Sequence, residues 1–218
     1  ISLSLILLVS FISGCQVTPQ KVQPNTNPRI FDIQGCTHTS PYSGKNVAGV
    51  RGIVTHKIFN GFYMQDDLGD GLDCSSDAIF VFTDQFPEVL PGNMVEVDGR
   101  VVEYFVGKPE DRNLTITEIS EPKIRVISQN SRLPEAVVIG YGGRRIPDKV
   151  IDDDGLMKFD VETDGIDFYE SLESMLVQVN TGVVAGPRNS YNEVTIISLD
   201  TGQSETDEQI GVLLLKED

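Results

Sequence analysis

Two short acidic runs hold oxygen donors at spacings that suit a hard cation. Asp66, Asp67, Asp70 and Asp73 surround Gly69 and Gly71, and Asp160, Glu162 and Asp164 stand just before Gly165. Calcium takes several carboxylate and carbonyl oxygens gathered by a turn that glycine permits. The candidate calcium ligands are therefore Asp66, Asp70 and Asp73 in the first run and Asp160, Glu162 and Asp164 in the second. Neither run completes an EF-hand loop. Leu68 occupies the third position of the first, and Ser171 stands where the second would need its bidentate Glu. Solvated acidic turns are the plainer reading of both.

A second set of residues suits the capture of flat rings. Phe62, Tyr63, Phe80 and Phe82 fall on two expected strands, and alternation sends only one of each neighbouring pair outward. Tyr63, whose hydroxyl favours water, is the expected ligand-facing ring, with Phe62 and Met64 turned inward; Phe80 and Phe82 join it as candidates. Arg51, His56 and Lys57 are the nearest cations in sequence, with Arg100 and Lys108 further on. So sparse a set would guide a single DNA strand with an affinity on the order of 10 μM or weaker at physiological salt. Packing of all four rings in the core or on the sheet surface is the alternative.

The apolar run 3–11 ends in Ile12-Ser13-Gly14-Cys15, which looks like a bacterial lipoprotein signal with Cys15 as the lipidation site. The run is too short to span a bilayer, which needs roughly 20 residues. The polar stretch 16–29, rich in Pro, Asn, Gln and Thr, has the composition of a tether. An extracytoplasmic protein held at the outer membrane or cell surface is expected, touching the membrane only through its lipid. Cys36 and Cys74 then remain as a pair in an oxidising compartment, and a disulfide between them is expected. Closing that loop stabilises the fold by about 4 kcal/mol on the chain-entropy model. A metal pair or a reactive thiol is the other use such cysteines have.

The elements that must position these residues are strands. Helical periodicity is almost absent, and short β-branched and aromatic runs recur between Gly, Pro, Asn and Asp turns. Strands are expected at 47–56, 61–65, 78–83, 94–104 and 114–119, with 123–127 trailing. Five strands, the first and fourth long and the first carrying Gly49 and Gly52, fit an OB-like Greek-key barrel over residues 30–138. A β-sandwich would need more strands of similar length. A connector at 139–163 follows, with Gly142-Gly143-Arg144-Arg145 as a hinge. A second, partial OB-like β unit is expected over 164–218, where 169–186 mirrors 42–56 as a long strand, a turn leads to 193–198, and later strands fall at or beyond 210–215. The missing initiator Met and the abrupt apolar end at 210–215 read as a fragment at both termini.

Acidic residues outnumber basic ones 33 to 17, for a net charge of −16. An even coat of that charge repels phosphate backbones, which excludes strong nonspecific nucleic-acid binding. The only histidines are His38 and His56, neither beside a recognisable nucleophile, and the Gly-Gly-Arg-Arg stretch lacks the Gly-Lys-Ser/Thr of a phosphate loop.

Ile33-Gln34-Gly35, His38-Thr39-Ser40-Pro41, Gly52-Ile53-Val54-Thr55, Gly61-Phe62-Tyr63-Met64-Gln65-Asp66 and Ser76-Asp77-Ala78-Ile79-Phe80-Val81-Phe82-Thr83 follow one another in order. Together with Asp164-Gly165-Ile166-Asp167-Phe168-Tyr169, this series resembles the OB-fold-like region at the front of bacterial extracellular nucleases, ahead of an endonuclease/exonuclease/phosphatase-type catalytic domain. The resemblance implies a non-catalytic forepart that positions the downstream nuclease domain and binds single-stranded DNA weakly. Mg²⁺ is implied only for that nuclease domain, with its metal-binding Glu, Asp-x-Asn and Ser-Asp-His motifs; neither histidine of this chain stands in a Ser-Asp-His. A structural, carbohydrate-binding or protein-binding surface module is the alternative from another class.

Overall fold

Alternating apolar residues give each strand one greasy face, and five strands bury that face by curling into a ring. The computed structural model describes residues 27–108, 113–140, 142–147, 150–188 and 194–198. Among these the elements are α1 (Ile30–Gln34), β1 (Asn46–Ile58), β2 (Gly61–Gln65), β3 (Ala78–Phe82), β4 (Met94–Phe105), β5 (Thr115–Ser128), β6 (Val137–Ile139), α2 (Gly165–Glu170), β7 (Val177–Val179), β8 (Gly182–Val184) and β9 (Ile196–Ser198). The protein is all-β in class, as its sequence predicts.

The first five strands form a closed barrel in the order β1-β2-β3-β5-β4. Antiparallel pairing of β1 with β4 completes the ring, and the contact of β3 with β5 is parallel, through Phe80↔Glu118 and Val81↔Ile119. Phe62, Met64, Ile79, Val81, Val95 and Val97 are fully buried inside it. The bend in β1 arises where expected. Its register against β4 shifts between Val47 and Val50, and Gly49 takes the left-handed φ of 69° that a side chain would resist.

Two features depart from the sequence reading. The strands expected at 114–119 and 123–127 are one 14-residue strand, which runs through Glu121 and Pro122 because its register against β4 shifts between Asp98 and Arg100. The short helix α1, unforeseen, seats Ile30 and Ile33 in the barrel core. Five residues are too few to display a helical period.

The long strand expected over 169–186 does not form. Residues 165–170 are helical, and turns bonding Leu172 to Tyr169, Glu173 to Glu170 and Met175 to Leu172 carry the chain on to β7. Phe168 and Leu172, four apart, bury one face of this turn with Ile139. β6 pairs with β7 in parallel and β8 with β9 antiparallel, as two separate two-stranded sheets. The strand expected at 193–198 is present as β9. Further strands expected at 210–215 lie outside the described residues, as do the expected leader, Cys15 and most of the expected tether.

This second segment is docked on the barrel. Gln65 Oε1 accepts the Leu176 amide at 2.9 Å, Ser76 Oγ donates to the Glu173 carbonyl at 2.6 Å, and the Thr117 amide donates to Glu173 Oε1 at 3.1 Å. The Gly142–Arg145 stretch, expected to hinge, is pinned instead. Arg144, its side chain 14% exposed, lies over the Phe168 ring, donates to Ser171 Oγ at 2.9 Å and approaches Asp73 at 3.5 Å.

Candidate functional site

Alternation in β2 and β3 divides the four aromatic candidates as the sequence predicts for β2. Phe62 points into the core, while Tyr63 sits on the outer face, half-buried. Directly across the ladder lie His56 on β1 and Phe80 on β3. The His56 and Tyr63 rings are stacked with centroids 6.4 Å apart, and Tyr63 meets Phe80 at 5.0 Å. Phe80, 8% exposed, lies across Gly61, where any Cβ would overlap its ring and the Val81 carbonyl. Phe82, half-buried, shares this face by alternation. Three adjacent strands thus carry a row of rings on the outer side of the sheet, but Phe80, expected to face a ligand, is covered, so His56, Tyr63 and Phe82 are the members that reach solvent.

The structure does not bring Arg51 to this row as a free cation. Arg51 stands on the side of β1 that faces β4, donating to Glu96 Oε2 at 3.0 Å, and Arg125 clamps the same carboxylate. Hydrogen bonding from Arg51, followed by the charge of Arg125, holds the Glu96 carboxyl below its usual range. Lys57 sits 4.5 Å above the exposed Phe86 ring and reaches the Pro87 carbonyl at 3.5 Å.

The acidic candidates separate just as sharply. Asp66 has a side chain 1% exposed and is consumed by structure: Arg29 binds both its oxygens, and the Leu68 and Gly69 amides donate to Oδ1 at 3.0 and 3.1 Å. Burial pushes its carboxyl up, but Arg29 and the two amides outweigh that and hold it below its ordinary value. Asp70 accepts from Ser75 Oγ at 2.8 Å and from the Leu72 amide, and Asp73 faces Arg144. Asp160 is paired with Lys158 at 2.8 Å, and Glu162 is exposed. Among the described residues, the one trio whose carboxylate oxygens converge is Asp152, Asp154 and Asp164, all within 4.8 Å of one another. Asp164 is among the candidates the sequence offers; Asp152 and Asp154 are not, although Asp152-Asp153-Asp154-Gly155 carries the same donor-plus-glycine signature.

Cys36 and Cys74 form a disulfide, as the cysteine count suggests, with Cα atoms 5.0 Å apart. It joins the end of α1 to the loop that feeds β3.

The seam between barrel and docked segment holds an acidic cluster that no sequence pattern announced. Glu173 accepts from Thr117 and Gln34, with Glu103, Glu118 and Glu170 near it. Burial, offset in part by the Thr117 and Gln34 donors, pushes the Glu173 carboxyl up to about 7; burial and the charge of Glu173 push Glu170 up to about 8. The folded protein therefore keeps protons that the unfolded chain releases near pH 4.5. Stability from these groups is fully present below that pH and is lost as pH rises through about 7 to 8. The double variant Glu170→Gln/Glu173→Gln is expected to lose less melting temperature between pH 6.5 and 8.5 than the parent. Parallel declines in thermal melts at the two pH values would show that these carboxyls are not held protonated.

These features define an all-β protein whose five-stranded barrel carries a docked C-terminal segment. Residues 138–218, beginning within β6, match a family described as a domain of unknown function (DUF8508). No curated protein and no solved structure matches the chain.

Proposed function

We propose that the chain is the non-catalytic forepart of a surface-anchored extracellular nuclease, an OB-type barrel that holds a single strand weakly and positions a catalytic domain carried elsewhere in the same polypeptide. The observation that carries this reading is the row of His56, Tyr63 and Phe80 rings across β1, β2 and β3. OB barrels take oligonucleotides on the face of their second and third strands, and ring stacking accepts any base. The strand order, with β5 between β3 and β4, supports the OB assignment. The disulfide suits an oxidising compartment, where the lipid on Cys15 would hold the protein at the outer membrane or cell surface. Mg²⁺ belongs to the catalytic domain in this reading.

A second reading, a structural or carbohydrate- or protein-binding surface module, is favoured by the charge of −16 and by the quenching of Arg51 by Glu96. Fluorescence anisotropy with a labelled oligothymidylate at low salt separates the two. Loss of one stacked base costs roughly 1–3 kcal/mol, so Tyr63→Ala is expected to weaken binding by about tenfold. Lys57→Ala is expected to weaken it less. Unchanged affinity in both variants, or no binding by the parent, would leave the second reading standing.

A further inference from the structure

We infer that Asp152, Asp154 and Asp164 form a calcium site that fastens the acidic 152–158 turn to the start of α2. The carboxylate oxygens of these residues lie within 4.8 Å of one another, a separation that one cation can bridge. Clustering alone would prove nothing, since exposed acidic turns are common. The independent observation is Asp164 Oδ1, a buried oxygen without a hydrogen-bond partner on a residue only 3% exposed. A desolvated carboxylate oxygen left unpaired is costly, and such atoms call for an explanation, an unseen ion among them.

The surroundings favour a divalent cation over any side chain as that partner. Asp153 and Asp167 add their negative fields to the same carboxylate, which the Asp153 amide and the Thr163 hydroxyl offset in part while leaving Oδ1 without a partner, and the opposing charge near it comes from Lys158, whose ammonium is held by Asp160 at 2.8 Å. Asp152 Oδ1 accepts the amides of Asp154, Gly155 and Leu156, while Asp154 accepts those of Met157 and Lys158. These bonds orient both carboxylates and leave lone pairs unused, since each carboxylate offers about four. The donors are all oxygen, with no thiolate in the trio, which selects a hard ion. An irregular turn fits the flexible coordination of Ca²⁺ better than the strict octahedron of Mg²⁺.

Occupancy would reach the barrel through a short chain of contacts. Asp164 precedes α2, and Asp167 in its first turn bonds His38 Nε2 at 2.6 Å, on the loop after α1. A bound ion would therefore tighten the docking of the second segment. This inference does not rest on the nuclease reading.

Equilibrium dialysis of the full chain against radioactive calcium, after stripping with chelator, tests it together with thermal melts. About one ion per chain is expected at millimolar calcium, the range of extracellular modules, with a melting temperature that rises on addition. Asp164→Asn and the exposed-turn variant Asp152→Asn are each expected to abolish binding, Asp70→Asn to leave it intact, and Lys158→Gln to tighten it a few-fold. Asp152→Asn keeps the test informative if Asp164→Asn fails to fold. Absence of bound calcium in the parent, retention in Asp152→Asn, or an equal thermal shift with magnesium would overturn the assignment.

Discussion

Replacing Cys36 and Cys74 together by serine is expected to cost about 4 kcal/mol of stability, because 38 residues of chain regain their freedom in the unfolded state. For a chain of this size that corresponds to a melting temperature lower by roughly 10 °C. The crosslink also has a local task. Gly35 and Cys36 end the α1 turn that sets Ile30 and Ile33, both fully buried, into the barrel core. Cys74 lies in the acidic loop whose next residues, Ser75 and Ser76, are buried at the seam. Urea and thermal melts of the double variant, run beside the reduced parent, measure the loss. A variant that melts within a degree or two of the oxidised parent would mean the loop is ordered without the bond.

Phe62→Ala should be costlier than Tyr63→Ala, although the two residues are immediate neighbours. Phe62 is fully buried with Met64 and Val81, and removing a buried Phe ring typically costs 3–5 kcal/mol through lost transfer energy and the cavity left behind. Tyr63 faces outward, so Tyr63→Ala is expected to cost about 1 kcal/mol or less while taking the greater share of ligand affinity. Urea midpoints at unchanged slope give the comparison. Equal losses at the two positions would make the row a packing feature instead of a capture surface.

That contrast between neighbours is also where the sequence was most legible. Period-2 alternation in Gly61-Phe62-Tyr63-Met64-Gln65 is a local property of the backbone, so it reported correctly which ring faces inward. The bulge glycine Gly49 is visible for the same reason. The second segment departs from the expected strand because its likeness to 42–56 does not extend to its apolar spacing. Phe168 and Leu172 are spaced for a helical face, and the stretch is helix and turn. Nor did sequence show which carboxylates would meet. Asp66 looked like a ligand until Arg29, 37 positions away, was seen to occupy it. Glu173 is partly buried by the seam, which closes over it from two distant stretches of chain. Long-range contacts decide such residues, and no local pattern encodes them.

The parallel contact of β3 with β5 has a consequence for the order of events as the chain is made. On a chain that emerges amino end first, four staves of the barrel appear before the fifth, and the outer edge of β3 waits unpaired until residues 115–128 arrive. Cys36 and Cys74 are both through well before then. Oxidation can thus precede closure, leaving a crosslinked but open half-shell whose completion awaits one late strand, a non-local topology that slows folding and exposes apolar surface meanwhile.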